Sequence, residues 1–143
     1  MSGDRQDQLL RLMQGVRADL DGYRQLSALL ERQHAAALRH DAQALPEVTE
    51  GIVALVDAME PRSRERTGIV RSLCGRADAE GMRLVLASMP EAARNTLSGW
   101  WDALEPLVRD CHAQNLRTRQ LMVDQSEVMR RVLQEEQGVY APQ

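Results

Sequence analysis

The stretch that decides the fold is Leu97-Ser98-Gly99-Trp100-Trp101-Asp102-Ala103-Leu104, carried on without a strand-like alternation through Val108, Cys111, Met122 and Met129 to Leu133. These apolar residues recur at threes, fours and their sums, with polar Asn115 in the middle of the row, which is the spacing of one helix face. The pattern predicts a single amphipathic helix over 97–137 followed by a loose tail over 138–143. A helix of that length spans roughly 60 Å, more than a compact domain of this size needs. An elongated bundle that works through a surface is therefore expected.

The rest of the chain agrees. There is no Phe, aromatics make up 3%, and Ala, Leu, Arg, Gln and Glu dominate, so the fold class is all-α. From Asp4 as cap, Leu9, Met13, Val16, Leu20, Tyr23, Leu26, Leu30, His34 and Ala37 step by threes and fours, giving a first helix to about His40. Asp41 reads as the cap of a second helix carrying Leu45, Val48, Ile52, Leu55, Val56 and Met59, with Pro46 in its first turn. Pro61 should kink that helix, which resumes through Ile69, Val70 and Leu73 and stops at Gly75. Asp78 caps a short helix with Met82, Val85 and Leu86, Pro90 marks the turn into the last helix, and Pro106 predicts a bend or break near Trp101–Asp102. Three long helices, the second kinked, and one short one make an antiparallel bundle with coiled-coil-like packing in a single domain over 1–143.

Charge and motifs exclude most chemistry. All 18 basic residues are Arg, residues 1–77 balance 11 Arg against 11 acids, and residues 78–143 hold 7 Arg against 10, so no basic face suits nucleic acid. The Arg62, Arg64, Arg66 cluster is interleaved by Glu60 and Glu65 and reads as a solvated helix face. No apolar run is long enough for membrane insertion, and Met1-Ser2-Gly3-Asp4 leads into a polar segment unlike a signal peptide. Cys74 and Cys111 lack metal or redox spacing, which suits reduced thiols in the cytoplasm. Glu31-x-x-His34 has the spacing of a carboxylate-bridged metal helix but no second copy, so no metal or cofactor is implied. Cys111 and His112 are adjacent on a helix and diverge by about 100°, giving a packed thiol and an exposed imidazole. No enzyme activity is expected. Trp100 and Trp101 cannot share one seam, so one should pack and the other sit at an edge.

On a helical wheel, Trp100, Leu107, Leu121, Val128 and Val132 widen the last helix's stripe to an arc of roughly 160–180°, beyond the ~100° that facing one core requires. The distal part of the arc, Leu121, Met122, Val128, Met129, Val132 and Leu133 with Asn115 as a polar register-setter, is the candidate surface for another protein's amphipathic helix.

The stretch Trp100-Trp101-Asp102-Ala103-Leu104-Glu105-Pro106-Leu107, then Cys111-His112-Ala113-Gln114-Asn115, resembles the FlgN family of flagellar export chaperones. Leu121-Met122 matches that family's apolar pair, Tyr140-Ala141-Pro142 is similar to its terminus, and Leu38–Leu45 is similar to its Arg-Asp-Ala-x-x-Leu corner. Thr118-Arg119 stands where a second Asn-Gly is usual, Ala141 replaces a Gly, and Pro46 is atypical. The resemblance implies a cytoplasmic type III export chaperone. It would bind the C-terminal helices of hook-associated junction proteins, prevent premature assembly and deliver them to export-gate components. The alternative is a structural coiled-coil homodimer or adaptor whose wide stripe is buried by its twin.

Overall fold

The computed structural model describes residues 2–140 as four helices, with no strand among them: α1 (Ser2–Leu38), α2 (Ala44–Cys74), α3 (Ala79–Ala87) and α4 (Glu91–Tyr140). α4 contains the expected 97–137 helix and extends it at both ends, so residues 138–140, expected in the tail, are helical. Ala141-Pro142 of the family-like terminus and the remainder of that tail lie outside the described residues. α2 runs unbroken through Pro61, and the break considered at Pro106 does not occur in α4.

The corner between α1 and α2 uses one residue twice. His40 adopts the left-handed conformation at φ 53° and closes α1, its N–H donating to Ala37 O at 3.2 Å while Asp41 N–H reaches Ala36 O at 2.9 Å. Asp41 then turns its carboxylate forward and accepts from the backbone N–H groups of Gln43 (3.2 Å) and Ala44 (3.0 Å), capping α2 as its sequence position implied. α1 therefore ends sharply. At the other end of α2, Gly75 takes φ 82° and Asp78 caps α3 through Gly81 N–H at 2.9 Å. Gly81 is required there, because a Cβ would run into the Arg76 carbonyl.

α1 lies in the middle. α2 runs antiparallel to it, as Gln8 with Ser72 (3.1 Å) and Gln33 with Thr49 (3.1 Å) show. α4 runs parallel to it on another face, with Cys111 Sγ at Tyr23 O (3.5 Å), Gln114 at Ser27 (3.1 Å), His34 Nδ1 at Thr118 Oγ1 (3.0 Å) and Gln125 at Ala37 O (2.9 Å). Among the described residues no Cα of α2 comes within 8 Å of one in α4. The main core joins all four helices through Leu12, Val16, Ile69, Val70, Met82, Val85, Met89 and Leu97. A thinner one forms higher up, around Leu26, Leu30 and Cys111.

The arginine cluster departs from expectation. Arg62 and Arg66 are half-buried and turn inward onto Asp19, which is buried on α1: Arg62 Nε donates to one carboxylate oxygen at 2.9 Å and Arg66 Nη1 to the other. Only Arg64 stays outside, beside Glu60. A carboxylate on an apolar helix face is costly to bury alone, and two guanidiniums one turn apart satisfy both of its oxygens. Replacing Asp19 by Ala strands two cations at the α1–α2 seam. Urea unfolding should show a loss of about 3 kcal/mol for Asp19→Ala, against less than about 0.5 kcal/mol for the exposed Asp21→Ala.

Candidate functional site

The face of α4 that packs on α1 can be followed rung by rung. Leu97, Leu104, Cys111 and Thr118 are spaced by sevens and all buried. Gln125, the next rung, is half-buried and donates to the Ala37 carbonyl, one of the last carbonyls of α1. Val132, the rung after that, is 45% exposed, because α1 has ended at Leu38. From Gln125 to Tyr140, α4 continues for about 22 Å past its cover.

Of the candidate surface residues, Val128 (51% exposed), Met129 (59%), Val132 and Leu133 (53%) stand on this uncovered segment. Leu121 and Met122 sit at its base and are half-buried. Asn115 is separate from them, half-buried lower on α4, where it lines a cleft with Val108, Cys111 and Ile52. The polar contacts between α4 and α1 are made by Gln114, Thr118 and Gln125. Thr118, at a departure from the family pattern, is buried because it answers His34, and His34 thereby has a defined role in the seam.

A second concave feature runs between α2 and α4. With no backbone contact between those helices, α1 forms its floor through Tyr23, Leu26 and Leu30. Part of it is a cleft of about 780 Å³ bordered by Arg66, Trp101, Leu104, Val108, Arg109 and His112. Of the two tryptophans, Trp101 borders the cleft. Both are half-buried against the main core, each beneath a guanidinium: Arg17 lies 5.9 Å from the Trp100 ring centre and Arg66 lies 5.6 Å from that of Trp101. Periodicity along one helix could not reveal this cleft, since it depends on the backbones of two helices staying apart. Asp19 at an apolar position of helix 1, with Arg62 and Arg66 one turn apart, was the available signal for the clamp beside it.

The chemistry of these surfaces is burial of apolar area. Among the described residues no three His, Cys, Asp or Glu side chains come together as metal ligands. Burial, helped by the Asp110 charge, pushes the Cys111 thiol above its ordinary value, so it stays protonated, and His112 beside it is exposed. Tyr23 is likewise raised, by burial and then by Asp19. No helix is long and apolar enough to cross a membrane among the described residues.

A family model described as FlgN protein matches residues 1–138. No curated protein and no solved structure matches the chain. The chain belongs to the FlgN family, a family of flagellar export chaperones and not of enzymes.

Exposure makes opposite demands on two similar substitutions. Met129→Glu should leave helicity and the melting temperature nearly unchanged, since the Met129 side chain is exposed among the described residues. Leu104→Ala, a position only 4% exposed, should cost about 3 kcal/mol in the same denaturation measurement.

Proposed function

We propose, from this membership of the FlgN family, that the protein is a cytoplasmic export chaperone for hook–filament junction proteins, holding their C-terminal amphipathic helices and presenting them to the type III export gate. The observation that supports this reading is the uncovered end of α4, where the stripe that packs on α1 continues through Val128, Met129, Val132 and Leu133, all exposed, with nothing over it among the described residues. A junction-protein helix destined to form a coiled coil outside the cell carries the same kind of stripe. Left bare, that stripe associates too early. Docked on α4, it is hidden without any covalent step, and the ordering cost of the incoming segment keeps the complex reversible, as export requires. The two methionines, Met122 and Met129, let the surface adapt to more than one stripe.

Calorimetric titration of the chain with the C-terminal segments of the junction proteins from a flagellated cell tests this. At least one segment should bind, and Met129→Glu should weaken it by at least tenfold while the variant remains folded. Undiminished binding by the Met129→Glu variant contradicts the assignment of the site, and no binding of any junction-protein segment contradicts the function.

A further inference from the structure

The uncovered end of α4 and the cleft between α2 and α4 lie on one line. Trp101, Val108, Asn115, Met122 and Met129 are spaced by sevens, so they form a single seam that drifts only slowly around α4. The lower part of this seam borders the cleft through Trp101, Val108 and Asn115. The upper part is the uncovered stripe. On the opposite bank α2 offers Ile52, Val56 and Met59, and the floor is Tyr23, Leu26 and Leu30 of α1. Val56 is 45% exposed and Val108 is 38% exposed, an unusual state for valines facing each other across a bundle. Two long helices packed on a third, without backbone contact and bridged at the lower end by Arg66 over Trp101, leave room for another helix between them.

We infer that the cleft and the uncovered end of α4 form one continuous track for a single amphipathic helix of another protein, which carries acidic residues along the flank that meets α4. The inference rests on the chaperone reading of the distal stripe and extends it down the bundle. From Trp101 to Leu133 the track is roughly 48 Å long, room for a helix of about 30 residues. Area favours the long track: about four turns against the free end of α4 is a small contact, whereas stable association buries about 1,200–2,000 Å² in total. Charge selects the guest. Arg119 and Arg130 lie three turns apart on the same edge of the seam, and among the described residues neither has an ion-pair partner. A second copy's α4 is a poor occupant, because an antiparallel pairing of the two free ends sets like edges together, Arg130 against Arg130.

The test uses the full chain and two synthetic amphipathic helices, one of 30 residues and one of 15, with leucine and isoleucine at the heptad core positions and glutamate on one flank. The 30-residue helix should bind about tenfold tighter than the 15-residue one. Val56→Arg, a change at an exposed position, should bring the longer helix down to the affinity of the shorter and leave the shorter unaffected. Replacing the glutamate flank by arginine should weaken the longer helix by about tenfold, and unchanged affinity overturns the acidic flank. If both helices bind alike, Val56→Arg alters neither and Met129→Glu abolishes both, the track is wrong while the distal site stands. If neither helix binds although a junction-protein C-terminal segment does, the track is wrong and the chaperone reading stands. If the wild-type chain sediments as a dimer that Val56→Arg dissociates, the cleft belongs to a second copy and the inference is overturned.

Discussion

α1 carries both of its long neighbours. α2 and α4 pack along it on different faces, and among the described residues they meet each other nowhere at the backbone level. The length of α1 therefore fixes how far α2 and α4 can be held together, and its limited girth leaves the space between them open. Its end is set by local chemistry, the left-handed His40 and the forward-turning carboxylate of Asp41, with no room for a frayed extension. α4 has no such stop and runs on to Tyr140, its apolar stripe continuing as far as Leu133. The mismatch between a helix that is told where to end and one that is not creates the exposed surface.

The packing is graded along this axis. At the α3 end all four helices share a core that includes Leu12, Val85 and Leu97, each almost fully buried. Midway the core narrows to Leu26, Leu30 and Cys111, and the seam becomes polar: Ser27 with Gln114, His34 with Thr118, Ala37 with Gln125. Beside the main core, Asp19 locks α2 against α1 through Arg62 and Arg66. The molecule is thus braced at one end and open at the other. Such a gradient suits a protein that must receive a guest without unfolding, because local order at the open end can change while the braced end holds.

Much of this was legible in the sequence. The four helices, their caps at Asp41 and Asp78, the stop at Gly75 and the excess width of the α4 stripe all follow from spacing and local chemistry. What spacing concealed was that α1 has two buried faces. Leu9, Met13, Val16 and Leu20 read as one stripe, while Leu12 and Asp19, both buried, belong to the second, and Asp19 draws in arginines that look solvated on their own helix. Thr118 read as a departure from a family pattern and proves to be the partner of His34. The cleft was invisible for a different reason: it depends on the absence of a backbone contact between α2 and α4 among the described residues, which no single helix records. Asn115, placed on the distal surface by its wheel position, lies instead within that cleft.

The central claim is that residues 126–138 of α4, without a cover among the described residues, acquire one from a guest helix. Amide hydrogen exchange along α4, measured for the chain alone and with a bound junction-protein C-terminal segment, tests it most directly. Alone, residues 126–138 should exchange far faster than residues 97–118, because an isolated helix end of about four turns is only marginally stable in water. With the segment bound, protection of 126–138 should rise by at least tenfold. Protection of 126–138 equal to that of 97–118 in the lone monomer, or no gain once the segment is bound, would contradict it.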